Sequence, residues 1–118
     1  MTSGNDNSDL VNTHEFFDTT LVGMSYPSTV IEDRVFEECS FVDANFAETQ
    51  FIRCKFIGCE FKNCNLSAAQ FDESTFSEVV FTESKLIGIN WTKLRWPMIH
   101  LSCPLQFYRS NLSHCSFY

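Results

Sequence analysis

The sequence has little of what most enzymes and nucleic-acid binders need. It has four Gly and no glycine loop of the kind that cradles phosphate, and its three His (His14, His100, His114) show no metal-ligand spacing. No nucleophile elbow is present. Bases are scarce: 8 Lys and Arg stand against 15 Asp and Glu, for a net charge of −7. Phosphate contact requires a basic footprint, so this balance argues against direct nucleic-acid binding. No apolar run suits a membrane span. The start, Met1 to Asp9, is polar and lacks both the basic and the apolar region of a signal peptide. A cytoplasmic chain with no catalytic residues, no cofactor and no metal site is expected, and its six Cys are expected as thiols.

What is abundant is phenylalanine, 13 residues against 2 Trp and 3 Tyr. From Phe36 to Leu86 every fifth residue is Phe or Leu: Phe36, Phe41, Phe46, Phe51, Phe56, Phe61, Leu66, Phe71, Phe76, Phe81, Leu86. Two residues before each member after Phe36 stands a small side chain: Cys39, Ala44, Thr49, Cys54, Cys59, Cys64, Ala69, Ser74, Val79, Ser84. Only Arg34, at the start, breaks that second register. On a helix, steps of five residues advance by about 140° and would spiral the large residues around the whole surface. In a flat strand successive members would face opposite sides. A fixed short period that buries every member needs a backbone that turns a corner once per repeat, which is a solenoid.

Segments such as Ala44-Asn45-Phe46, Cys59-Glu60-Phe61, Cys64-Asn65-Leu66 and Ala69-Gln70-Phe71 resemble the pentapeptide-repeat pattern of small residue, polar residue, Leu or Phe, then two variable residues. The resemblance covers at least residues 34 to 88. It implies an all-β fold, a right-handed quadrilateral parallel β-helix with four pentapeptides per coil. A twenty-residue coil then predicts the core columns: Phe41, Phe61, Phe81 and Leu101 on one wall; Phe36, Phe56, Phe76 and Trp96 on a second; Phe51, Phe71 and Trp91 on a third; Phe46, Leu66 and Leu86 on the fourth. Cys54, Cys59 and Cys64 fall on three different walls and cannot converge on a metal. Cys39 and Cys59 share a wall in adjacent coils and are expected as a pair of thiols.

The flanks match less well. Residues 1–13 read as a flexible N-terminal tail and 14–118 as one β-helix domain. Phe16, Leu21, Tyr26 and Ile31 keep phase, but Pro27, His14 and Met24 predict an irregular first coil over 14–30, with Phe16 and Phe17 as candidates for an end lid. Strict repeats occupy 31–90. Pro97 and Pro104 mark an interrupted coil with a bulge or loop over 91–106, one residue being inserted between Leu101 and Phe107, and the repeats resume over 107–118. They reach Tyr118 with no closing element. Either the molecule forms a homodimer through that open C-terminal end, or further coils follow in a longer protein.

Function is then expected on the surface. The candidate partner surface comprises Glu38, Asp43, Glu48, Glu73, Glu78 and Glu83, two residues after inward rings, with Trp96, Pro97 and His100 at the irregular segment. All 15 acids fall within residues 1–90, and residues 91–118 carry only the bases Lys93, Arg95 and Arg109, which predicts an acidic rod with a basic end. Ile52, Ile57 and Ile87 face outward by the same pattern, either as an apolar strip for a partner or as residues of high β-propensity. These features suit a protein-protein interaction or structural module. The chain is also similar to the N-terminal part of the quinolone-resistance (Qnr) and microcin-immunity rods. That similarity implies a DNA mimic whose protein partner is a type II topoisomerase, DNA gyrase or topoisomerase IV.

Overall fold

The computed structural model describes residues 13–94 and 105–116. Within them run eleven short strands: β1 (Glu15–Phe17), β2 (Thr20–Val22), β3 (Val30–Glu32), β4 (Val35–Glu37), β5 (Ser40–Val42), β6 (Gln50–Ile52), β7 (Lys55–Ile57), β8 (Glu60–Lys62), β9 (Thr75–Ser77), β10 (Val79–Thr82) and β11 (Leu105–Tyr108). Most are three residues long because one quintet supplies one inward ring, its two flanking residues, and a corner. At that corner the backbone turns left-handed. Every fifth residue from Asp18 to Gly88 has φ between +51° and +74°, and only Gly23, Gly58 and Gly88 among them are glycine. A left-handed residue per quintet is what lets a β-backbone change direction without a loop.

All strand pairing is parallel and in register. One wall stacks β1, β4, β7 and β9; a second stacks β11, β10, β8, β5 and β2. The third wall begins as β3 on β6 and continues through the Gln50–Gln70 bridge. The fourth is a ladder of single bridges through Ser25, Asn45, Asn65, Lys85 and Asn111. There the Asn side chains replace strand bonding, Asn45 and Asn65 accepting from the N–H of Ala47 and Ser67 at 3.1 and 3.0 Å. The expected fold class is therefore the observed one, a four-walled parallel β-helix.

The interior is the ring stack that the period predicts. Phe36 through Leu86 are all buried, with Phe41, Phe61 and Phe81 stacked at 4.6 and 4.9 Å and Phe51, Phe71 and Trp91 at 5.2 and 5.6 Å. The small register does more than leave room. Thr49, Cys54, Cys59, Cys64, Ser74 and Ser84 each donate to the carbonyl of the large residue one coil back and one wall behind, Tyr26, Ile31, Phe36, Phe41, Phe51 and Phe61 respectively. Buried carbonyls need partners, so a small hydrogen-bonding side chain suits this position.

Three expectations change. The first coil is regular: Glu15 pairs with Val35 and Thr20 with Ser40, in the register of the later coils, and Met24 is buried in the small position. Thr19 and Thr29 donate to the carbonyls two residues back, Phe17 and Pro27, and Arg34 donates to that of Glu32 and meets His14 Nδ1 one coil back at 3.1 Å. Phe16 stacks on Phe36, but Phe17 points outward and is 54% exposed, because a residue next to an inward ring faces out; it is not a lid. Last, Phe107 rather than Leu101 occupies the Phe81 column. β11 pairs with β10 as Phe81 with Phe107, so this coil holds twenty-six residues, six more than the others rather than one. Leu101, Trp96, Phe117, residues 1–12 and the segment 95–104 lie outside the described residues.

Candidate functional site

The left-handed corners place their side chains outside the coil, and a twenty-residue coil stacks corners into four columns. The six acids predicted as a surface divide among all four. Glu38 and Glu78 share a column with Asp18 and Gly58; Asp43 and Glu83 share one with Gly23, Asn63 and Arg109; Glu48 stands with Ser28, Ala68 and Gly88; Glu73 stands with Asp33 and Arg53. All six are exposed, as predicted. The structure does not bring them together on one face. Trp96, Pro97 and His100 lie outside the described residues.

Three of the columns neutralise or bond part of their charge internally. Arg53 bridges to Asp33 at 2.9 Å and approaches Glu32 at 3.9 Å. Its hydrogen bond holds the Asp33 carboxyl below the ordinary value and raises the guanidinium above its own. Asn63 donates to Asp43 at 2.7 Å, Arg109 lies 3.4 Å from Glu83, and Ser28 donates to Glu48 at 3.3 Å.

The fourth column behaves differently. With the two outward columns that flank it, it forms a ridge carrying Asp18, Glu37, Glu38, Glu60 and Glu78 and no Lys, Arg or His. None of these five makes an ion pair among the described residues. The Glu38 side chain lies across Gly58, whose missing Cβ would sit 3.5 Å from Oε2. Glu37 and Glu60 were not singled out by sequence reasoning. Writing the outward positions in rows of twenty, as for the core, exposes the ridge.

The opposite ridge is nearly uncharged, with Ala68, Gln70, Gly88 and Asn90 around a shallow groove that Lys93 also lines. The outward isoleucines do not form a strip. Ile52, Ile57 and Ile87 are half-buried on three different walls, as period and coil length together require. The described cysteines Cys39, Cys54, Cys59, Cys64 and Cys115 are free thiols. Burial pushes Cys54 and Cys64 up to about 11. Among the described residues no three His, Cys, Asp or Glu side chains are grouped to hold a metal ion, and no helix is long and apolar enough to cross a membrane. Exposed carboxylates on a convex corner have neither a cleft nor burial to tune them for acid-base work.

A family model described as a pentapeptide repeat region matches residues 29–117. Among curated proteins, none matches this sequence. Among solved structures, the chain is similar to two trypsin-treated forms of QnrB1, described as a plasmid-mediated fluoroquinolone resistance protein. In one the identity is 21% over 87% of this chain and 57% of that chain, with a TM-score of 0.41. In the other it is 18% over 82% and 57%, with a TM-score of 0.47. A third is Rfr23, a pentapeptide repeat protein from the cyanobacterium Cyanothece 51142, at 9% identity over 95% of this chain and 92% of that chain, TM-score 0.39. The chain thus spans 57% of the QnrB1 chains that it matches.

Proposed function

The chain belongs to the pentapeptide repeat family, and on that premise we propose that it is a non-enzymatic cytoplasmic module that engages a protein partner through its outer surface. The observation that carries the reading is the ridge of Asp18, Glu37, Glu38, Glu60 and Glu78, five carboxylates on adjacent outward columns that make no ion pair among the described residues. Uncompensated charge of one sign steers a partner of the opposite sign and sets specificity. A partner with a basic groove fits that chemistry. The test is capture of binding proteins by the wild-type chain and by a Glu37→Lys, Glu38→Lys, Glu60→Lys, Glu78→Lys variant. The bound set should be lost from the variant and should weaken with salt; identical sets would overturn the reading.

A second reading takes the same ridge as a DNA mimic that occupies the DNA-binding groove of gyrase or topoisomerase IV. Stacked coils set carboxylates at regular intervals along a rod, as phosphates are set along a duplex. Gyrase supercoiling with and without a quinolone, in the presence of added protein, tests it. Protection that disappears in the reversed variant supports the topoisomerase; no effect over a wide concentration range leaves the general module.

A further inference from the structure

In the described solenoid only one pair of cysteines is stacked coil on coil. Glu37 pairs with Ile57 and Ser40 with Glu60, so the residues between them bring Cys39 directly over Cys59. The neighbours of the other thiols differ: Cys54 lies between Arg34 and Ser74, and Cys64 between Ala44 and Ser84. Adjacent strands lie about 4.8 Å apart, inside the Cα separation range of disulfides. Both thiols sit inside the coil, Cys39 donating to the Phe16 carbonyl at 3.4 Å and Cys59 to the Phe36 carbonyl at 3.1 Å. We propose that Cys39 and Cys59 are a peroxide-sensitive dithiol that closes into a disulfide between successive coils.

The surroundings assign the roles. The Cys59 thiol donates to the Phe36 and Ile57 carbonyls at 3.1 and 3.5 Å, and Cys39 to those of Phe16 and Glu37 at 3.4 and 3.5 Å. Cys59 is the more closely held thiol, at 3.1 Å against 3.4 Å, which leaves Cys39 as the attacking sulfur and Cys59 as the resolving one. Both are buried, at 1% and 2% exposure, which favours hydrogen peroxide over bulky disulfide oxidants. The Cys39 thiolate attacks one peroxide oxygen and the O–O bond breaks. The departing hydroxide takes up the proton that Cys39 released and leaves as water, with Cys39 as sulfenic acid. Cys59 sulfur then attacks Cys39 sulfur and displaces hydroxide, which leaves as a second water with the Cys59 proton. Two thiols are oxidised and one peroxide is reduced. The product closes a loop of twenty residues and ties the second coil to the third.

Trypsin separates every thiol concerned, with Cys39 in 35–53, Cys54 in 54–55, Cys59 in 56–62 and Cys64 in 63–85. The folded full chain is titrated with hydrogen peroxide, blocked with an alkylating agent during unfolding, and mapped without reduction. Linked 35–53 and 56–62 should accumulate with dose while 54–55 and 63–85 remain alkylated. The melting temperature should rise by several degrees, and a reductant should reverse both changes. Cys59→Ser should stop the reaction at a dimedone-reactive sulfenic acid on Cys39. Serine is tolerated at this position, since Ser74 and Ser84 occupy it in later coils. Sulfinic acid on Cys39 without a link, equal oxidation of Cys54 and Cys64, or no oxidation below unfolding doses would each overturn the proposal. The wild-type map decides these outcomes even if the variant fails to fold.

Discussion

Phe107 lies flat on Phe81, ring centroids 5.3 Å apart and planes within 11°, although twenty-six residues separate them instead of the twenty that separate Phe81 from Phe61. The last coil thus docks by ring stacking and not by chain count. Phe81 is fully buried between Phe61 and Phe107, whereas Phe107 is only half-covered. Phe81→Ala should cost about 3–5 kcal/mol, within the range for buried Phe truncations, and Phe107→Ala distinctly less. Chemical denaturation of the two variants checks the order, and equal losses would contradict it.

Phe61→Asp should abolish folding. Its ring is completely buried between Phe41 at 4.6 Å and Phe81 at 4.9 Å, and nothing in that stack can pair a carboxylate. Circular dichroism should show loss of the β signal and of a cooperative melt; a retained transition would contradict the column.

Ser84→Ala should destabilise by about 1–3 kcal/mol, as expected when a buried bond loses one partner. Ser84 Oγ donates to Phe61 or Thr82 carbonyl oxygen and accepts from the Cys64 N–H at 3.1 Å, so its removal leaves groups in three segments short of a partner. Alanine fits sterically, as Ala44 does in the same column. A neutral result in denaturant would mean that the small register serves space alone.

Corner substitutions should divide by backbone preference. Gly23 has φ +74° and open space where a Cβ would stand, so Gly23→Val tests conformation without a clash. A β-branched residue in this left-handed region should cost about 1–2 kcal/mol. Ala68, at φ +59°, is already strained, and Ala68→Gly should be neutral or mildly stabilising. Thermal melts that rank the two the other way would refute left-handed corners.

Asp33 should titrate below 3.8, and Arg53→Gln should return it toward that value, because the Arg53 hydrogen bond is the leading cause of the shift. A lowered folded value means that the pair contributes above the unfolded carboxyl pKa and that its contribution is lost as pH falls through the folded one. Both partners are exposed, so carboxyl NMR shifts rather than the melting temperature are the readout. A midpoint unchanged in Arg53→Gln would show that the pair does not persist in solution.

The periodic part of this protein was legible before any coordinates. A large residue at every fifth place can be buried only if the backbone corners once per quintet. The inward facing of Phe36 to Leu86 and the outward carboxylates follow from that period, while the columns, with Cys39 and Cys59 on one wall, follow from the twenty-residue coil that the resemblance to pentapeptide repeats implies. Met24 and Phe17 misled, because burial follows a residue's place in the coil, inward for Met24 and outward for Phe17, rather than its match to the repeat formula. The ridge of Glu37, Glu38, Glu60 and Glu78 was present in the sequence but hidden, since its members recur at twenty residues and not at five.

By itself, the sequence determined the phase of every quintet, because phase is a local property of spacing. Tertiary structure alone decided which wall receives the chain once the period is broken, since a longer coil can rejoin at any wall and only the stacking of Phe107 on Phe81 selects one. It also decided which charges stay uncompensated. That depends on side chains from separate coils lying within reach of one another, as Arg53 does of Asp33, whereas Glu38 has no ion pair among the described residues.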